Sequence, residues 1–426
     1  MTARHCSPVF SFAAFVTWLL AVPMDGPLLS ANGLPALSFY FLLPHVLGLF
    51  LLGYRCSKVQ LERLLPYGAV LTVLLTSLLP FFGTALPWIG MLLGFSGALV
   101  AVAACARLRQ SATPVGHAAS GLVGANLVLF ALLTQAQNSP WFFALLSLPL
   151  LSLLLKPKAL PAQSLQKRKS ALGELWLFLP FILLFHLVGG LMYSFMYPAY
   201  LDQAVLPGLE LFFYIGTVSA SARLVKSSRE LSLMGGILLA MLSFILLQTR
   251  QPLAVNCAMF SMQAGQGIID LFLIVYLLSF NEPIRAFGFG LATLCLGVSG
   301  GQLLGASLQQ YAGSIALTGL ICLNLAALSL YYYRWRIQQW FAEQSPSQPV
   351  AQPEPVQITL PDSIRLQLSD RECLVLQHSL NGTTYRDIAS QLDISESSVK
   401  TYMKRVYDKL GMRSRKDLAS LINSRG

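Results

Sequence analysis

The sequence predicts an all-α protein, with a polytopic twelve-helix membrane domain followed by a small four-helix domain built on a helix-turn-helix. Three observations carry this prediction. Of 426 residues, 55% are hydrophobic and 11% charged, with a mean hydropathy of +0.62, a balance that excludes a string of ordinary soluble domains. Apolar runs long enough to cross a hydrocarbon core of about 30 Å recur along most of the chain. Between Leu368 and Leu418 the pattern changes to short amphipathic stretches, each with a helix start signal ahead of it.

The apolar segments fall at 9–30, 37–54, 64–82, 86–106, 117–136, 140–155, 174–197, 204–224, 231–248, 252–280, 286–309 and 313–333. The first, behind Met-Thr-Ala-Arg-His, has the look of a cleaved signal peptide, but eleven similar segments follow and it is read as a retained helix. Positive charge tests the count, because short cytoplasmic loops hold the Lys and Arg of a membrane protein. Of 18 such residues before position 341, 17 lie in cytoplasmic loops if the N-terminus is inside, and only Arg250 lies outside. The expected topology is therefore multi-pass in the cell inner (cytoplasmic) membrane, with N- and C-termini cytoplasmic.

The loop from Lys156 to Ser170 carries Lys156, Lys158, Lys167, Arg168 and Lys169 and splits the membrane domain into six-helix halves, 1–155 and 171–340. Two such halves joined by a long cytoplasmic loop resemble the major facilitator superfamily. That family's loop between its second and third helices usually carries an Asp amid Gly and Arg. Here Gly53-Tyr54-Arg55-Cys56-Ser57-Lys58 lacks it, so the resemblance implies the fold while the missing Asp argues against active transport.

Polar groups inside spans are costly and mark functional sites by default. The candidates for binding a small-molecule effector are Asp25 near the outer end of the first segment, His186 in the seventh, Glu210 in the eighth, and Gln263, Gln266 and Asp270 in the tenth. Spacing of i, i+3 and i+7 puts the last three on one helical face. The competing reading is an interhelical hydrogen-bond cluster that only fixes packing. Gly189-Gly190 and the run from Gly297 to Gly301 are expected to let helices pack closely. The five His lack metal-ligand spacing, the seven Cys are scattered without CxxC spacing, and neither a phosphate-binding Gly loop nor a nucleophile elbow is present. No catalytic residue, metal or cofactor is expected, and the chain is not read as an enzyme.

Tyr331-Tyr332-Tyr333-Arg334-Trp335-Arg336, with Trp340 behind, reads as an aromatic and cationic belt at the inner interface. Residues 341–361 contain Pro346, Pro349, Pro353, Pro355 and Pro361. About 20 residues of such chain form a semi-extended spacer reaching up to roughly 60 Å.

The last domain, 362–426, holds four start signals. Ser369 with Glu372, Thr384 with Asp387, and Ser414 with Asp417 have capping-box spacing, and Ser395 is a further N-cap with Glu396 at the positive end of the next helix dipole. Gly382 is expected to end the first helix, and Asp393-Ile394-Ser395 is a tight turn between two helices, which makes them a helix-turn-helix. After it, Val399, Met403, Val406 and Leu410 form an apolar stripe to pack on Ile388, Ala389 and Leu392, while Ser397, Lys400, Thr401, Lys404 and Asp408 face away, with Arg405 alongside. Lysines that neutralise phosphates and short hydroxyls that admit close approach suit a recognition helix, although any amphipathic helix has a charged outer face.

Taken together, Leu368-Ser369-Asp370-Arg371-Glu372, Asn381-Gly382, Asp387-Ile388-Ala389, Leu392, Ile394-Ser395-Glu396, Val399-Lys400-Thr401, Lys409-Leu410-Gly411 and Arg413-Ser414-Arg415 resemble the DNA-binding domain of the LuxR family over its full length. The resemblance implies that Lys400, Thr401 and Lys404 reach into the major groove of double-stranded DNA and that Thr384, Tyr385 and Arg386 lie near phosphates. Ser397, Ser398 and Arg405 complete the expected contact set. It also implies that the helix from Ser414 to Asn423 pairs two domains into a homodimer on DNA. The departures are Tyr402, where His is frequent, and Ser398, where Thr is frequent. As a whole the chain resembles bacterial transmembrane LuxR-type regulators, here without a receiver domain, so a signal is expected through the bilayer-embedded part. The alternatives are a secondary transporter with a regulatory DNA-binding tail and a passive anchor for a constitutive DNA binder.

Overall fold

The computed structural model describes residues 5–82, 85–111, 113–135, 139–157, 172–249, 251–308, 312–344, 360, 362–381 and 383–412. Among the described residues the chain is all-α apart from a two-residue parallel pairing of His5–Cys6 with Lys156–Pro157. It divides into two compact units, Met1–Gln338 and Gln339–Gly426.

The first unit contains α1 (Pro8–Ala21), α2 (Pro27–Ala31), α3 (Ser38–Arg55), α4 (Lys58–Leu78), α5 (Leu86–Arg107), α6 (Pro114–Gln135) and α7 (Trp141–Ser147). It continues with α8 (Leu172–Leu191), α9 (Tyr197–Leu201), α10 (Leu209–Ser227), α11 (Arg229–Leu247), α12 (Pro252–Leu278), α13 (Pro283–Leu308) and α14 (Ala312–Gln344). Among the described residues, nine stretches are long and apolar enough to cross a membrane. The remaining three of the twelve predicted segments are α1, α7 with its extension, and the 19-residue α10, which carries Glu210, Arg223 and Lys226.

Two segments depart from single α-helices at prolines. The segment expected at 140–155 is α7 followed by a 3₁₀ stretch, Leu148–Leu154, because Pro149 lacks the N–H an α-helix needs there. At about 1.5 Å per α residue and 2.0 Å per 3₁₀ residue, these fourteen residues reach about 25 Å. After α8 the helix widens into a π turn, Met192–Met196, just before Pro198 in α9. The last segment also runs past its expected end at 333, since α14 continues through the aromatic and basic belt, where Arg334 pairs with Glu230 at 2.8 Å.

Lipid-embedded helices gain little from apolar burial against each other, so small residues decide where they touch. A Cβ on Gly301 would run into the backbone of Leu187 and Gly190, which brings α8 and α13 into direct contact. A Cβ on Gly288 would sit 2.5 Å from Gly53 Cα, which does the same for α3 and α13 at the end of the bundle that carries Arg55 and Arg285. At that end Arg109 also donates to the Phe280 and Asn281 carbonyls. At the opposite end Phe130 of α6 meets Phe212 of α10, ring centroids 4.8 Å apart. The first six and last six segments thus touch at both ends, with a cavity between.

The second unit contains α15 (Asp362–Arg365), α16 (Asp370–Leu380), α17 (Tyr385–Gln391) and α18 (Glu396–Leu410). Ser369 and Glu372 form a reciprocal capping box. Thr384 accepts the Asp387 N–H, but Asp387 Oδ2 accepts from the Thr384 hydroxyl at 2.6 Å instead of reaching back to the backbone, so this cap is one-sided. Ser395 accepts the Ser398 N–H at 3.1 Å. Asp393, at φ 53°, makes the tight turn, and Gly411, at φ 69°, closes α18. The α18 stripe serves two clusters: Val399 and Met403 pack with Val375, Ile388 and Ala389, while Val406 packs with Leu360, Ile364, Leu368 and Leu376, and Leu410 joins that second group. The cap at Ser414, Gly382, most of the Lys156–Ser170 loop, the greater part of the 341–361 linker and the helix expected from Ser414 to Asn423 lie outside the described residues.

Candidate functional sites

On α18, burial of Val399, Met403 and Val406 forces Ser397, Lys400, Thr401, Lys404 and Arg405 to the exposed side. Thr384 and Arg386 at the start of α17 are exposed as well, and Tyr385 is half-buried against the Val375 cluster. Ser397 and Ser398 both bond the Ser395 hydroxyl, at 2.7 and 2.8 Å, which ties the loop end to the first turn of α18. Thr401 donates to the Ser397 carbonyl at 2.9 Å, leaving its methyl and lone pairs outward. Lys400 is held by Glu396 at 2.9 Å, one turn earlier. This pair lowers the Glu396 carboxyl below its ordinary range and raises the Lys400 ammonium above its own. The exposed face can therefore neutralise phosphates through Arg386, Lys404 and Arg405, while Lys400 must exchange Glu396 for DNA.

In the membrane unit a cavity of about 170 Å³ is lined from the first six segments by α1, α3, α5 and α6 and from the last six by α8, its π turn, α10, α12 and α13. Most of its polar side chains come from the last six segments. His186 on α8 faces Asp270 on α12, Nε2 to Oδ1 3.6 Å. The Tyr214 hydroxyl on α10 donates to Asp270 Oδ2 at 3.0 Å. Gln266, one turn before Asp270, presents a buried Oε1 without a hydrogen-bond partner. Tyr193 and, from the first six segments, His45 also reach the cavity, and α1 contributes the apolar Phe12, Phe15 and Leu19.

Of the six membrane candidates, His186, Gln266 and Asp270 come together here. Gln263 is buried but does not line the cavity. Asp25 stands apart, accepting from the Leu37 and Ser38 N–H groups and the Ser38 hydroxyl, so its carboxylate caps the start of α3. Glu210, in the first turn of α10, accepts from the Tyr200 hydroxyl at 2.8 Å and likewise stands apart. Tyr214, Tyr193 and His45 were not singled out from the sequence. A tyrosine in an apolar span signals only that its hydroxyl needs a partner.

Residues 366–422 match the profile of the family described as bacterial regulatory proteins, luxR family. The C-terminal unit carries a LuxR-family domain. Over 56 residues the chain is 50% identical to a Pseudomonas aeruginosa protein provisionally named a transcriptional regulator, a match spanning 13% of this chain and 26% of that protein. The fold of the membrane unit is similar to the human organic anion transporter MFSD10 (TETRAN), with a TM-score of 0.59 and 15% identity over 76% of this chain and 97% of that one. It is also similar to the proton:xylose symporter XylE of the major facilitator superfamily, with a TM-score of 0.57 and 11% identity over 77% of this chain and 94% of that one. Identities this low show the fold alone: the membrane unit has a major facilitator fold.

Within the LuxR-type domain the two departures from the family pattern have local accounts. Tyr402 is half-buried against the Val375 and Ile388 cluster, so it packs the core in place of the frequent His. Ser398 is tied to the Ser395 cap. In the major facilitator fold, the turn that lacks the family's Asp is closed by the Ser57 and Gln60 capping box and a Lys58–Glu62 pair at 3.9 Å.

Proposed function

We propose that this chain is a membrane-bound one-component transcription regulator. The membrane domain, 1–340, binds a small-molecule effector in the cavity around Asp270. A linker at 341–361 tethers the LuxR-type domain, 362–426, which binds promoter DNA as a homodimer. The reading places the chain in the cell inner membrane with both termini cytoplasmic, and it assigns no catalytic role. One observation supports it above the others: a LuxR-family domain and a major facilitator fold with an internal cavity lined in part by polar side chains are joined in one chain.

An effector shifts a two-state membrane unit only by its difference in affinity for the two states, and about 2.7 kcal/mol of difference gives a hundredfold response. The test is transcript profiling of a deletion strain complemented with wild type or Asp270→Asn. The variant keeps the side-chain shape and should blunt the regulated response while membrane level and the DNA affinity of the separate 361–426 fragment stay unchanged. Normal induction by the variant rejects the site. Substrate flux in proteoliposomes would make the chain a transporter with a DNA-binding tail. Cysteine accessibility should place the 156–170 loop and residue 345 in the cytoplasm, and an external signal at 345 would end the regulator reading.

A further inference from the structure

His186, Gln266 and Asp270, which all line the cavity, each bring an acceptor atom to it. His186 Nδ1 lies 2.8 Å from the Ile182 carbonyl. A carbonyl only accepts, so Nδ1 carries the ring proton and, in the neutral ring, Nε2 presents a lone pair. That Nε2 is buried without a hydrogen-bond partner and stands 3.6 Å from Asp270 Oδ1. Gln266 Oε1 is also buried and unpartnered. Among the described residues lining the cavity, Asp270 is the only carboxylate, and neither Lys nor Arg is present. Buried acceptors without donors, beside a carboxylate that accepts from the Tyr214 hydroxyl but faces no Lys or Arg in the lining, are unfavourable, and a donor-rich cation would satisfy both.

A primary ammonium offers three N–H donors and a positive charge. A hydroxyl offers one donor, a quaternary ammonium offers charge without donors, and a carboxylate is repelled. The apolar part of the lining, with Phe12, Phe15 and Leu19 on α1 and Leu291 and Leu294 on α13, suits an apolar body. At about 170 Å³ the cavity falls below the range of about 300–1,000 Å³ common for drug-sized ligands. We infer that it takes a small lipophilic primary amine in its protonated form, with the ammonium among Asp270, Gln266 and His186. The inference rests on the effector-binding reading above and gives that effector a chemical class.

The experiment measures binding of four probes of similar shape to the purified full-length protein in nanodiscs: 2-phenylethylamine, 2-phenylethanol, trimethyl(2-phenylethyl)ammonium and 3-phenylpropionate. The amine should bind tightest to wild type. Asp270→Asn should weaken the amine about ten- to hundredfold, the loss of a hydrogen bond to a charged group, and leave the alcohol unchanged. Gln266→Leu should weaken the amine more than the quaternary cation. The wild-type ranking alone decides the class, so a variant that fails to fold does not block the test. Alcohol or propionate binding as tightly as the amine overturns the inference. Binding of none of the four overturns it as well. The broader reading is tested by filling the cavity with Leu294→Trp. Regulated transcription surviving that substitution rejects effector binding here, whereas transcription lost to it with a failed amine ranking rejects the ligand class only.

Discussion

Glu372 carries a carboxylate at 3% exposure, and replacing it by Gln isolates what that charge does. Its Oε2 accepts the Ser369 backbone N–H at 2.8 Å and the Lys409 ammonium at 2.6 Å, joining the start of α16 to the end of α18. The Lys409 bond, followed by the contacts with Ser369, holds the carboxyl below its ordinary range. Glu372→Gln keeps an oxygen for the Ser369 N–H, so the cap survives and only the charge is lost. Hydrogen bonds to charged groups contribute about 1.5–3 kcal/mol. Lys409, with 44% of its side chain exposed, regains water on losing its partner, which brings the expected cost to about 1–2 kcal/mol. For a unit of this size, stable by roughly 3–10 kcal/mol, that is a large share. The sign with pH follows from the depressed folded value. The stabilisation is present above the unfolded carboxyl value of about 4.3 and is lost as pH falls through the lower folded one. Urea unfolding of the 361–426 fragment should therefore show a gap between wild type and variant at neutral pH that narrows once pH drops below about 4.3. A gap of constant size down to the acid limit, or none at neutral pH, refutes the reasoning.

Met403, 2% exposed between Val375, Ile388 and Val399, should cost about 2–5 kcal/mol when cut to Ala, enough to leave the fragment largely unfolded by circular dichroism. An unchanged melting midpoint would contradict that packing. Lys404→Ala should weaken binding to every DNA sequence and lower the salt slope by about one, whereas Thr401→Ala should change preference among sequences; identical behaviour of the two at all sites would remove the distinction between their roles. Gly288→Val places a side chain against the Gly53 backbone and should part α3 from α13, raising maleimide labelling of the half-buried Cys56 in a chain whose other cysteines are replaced. Labelling at the wild-type rate would mean that this close approach does not hold the two helices together.

How much of this was legible in the sequence depends on how far apart the deciding residues lie. In the LuxR-type domain the signals are local. A cap is a hydroxyl and a partner three residues on, and the α18 stripe repeats within one helix, so Ser369, Ser395 and the buried faces of Val399 and Met403 could be placed without coordinates. What escaped there was nonlocal: Lys409 reaching across to Glu372, and one stripe divided between two clusters. In the membrane unit the apolar segments were legible because hydrocarbon demands them, but the prolines that turn α7 into 3₁₀ and open a π turn after α8 act through backbone hydrogen bonds that hydropathy does not register.

The cavity shows the limit most clearly. Asp25, Glu210 and Asp270 look alike in sequence, as lone acids in apolar runs. Asp25 lies in a turn, at φ 53°, ahead of a helix start, and Glu210 in the first turn of α10, places where a carboxylate meets N–H groups or the positive end of a helix dipole. Asp270 lies deep inside the 27-residue α12, where the helix's own hydrogen bonds are complete and a carboxylate must find its partners on other helices. Depth within a helix is thus the sequence feature that separates the acid facing the cavity from the two that do not. Which helices answer it is fixed elsewhere, because the approach of α8 to α13 at Gly301 sets where α8 runs, and that course carries His186 across from Asp270. Glycines that bind nothing therefore decide which polar groups meet, and a substitution at Gly301 should disturb the cavity as surely as one at Asp270.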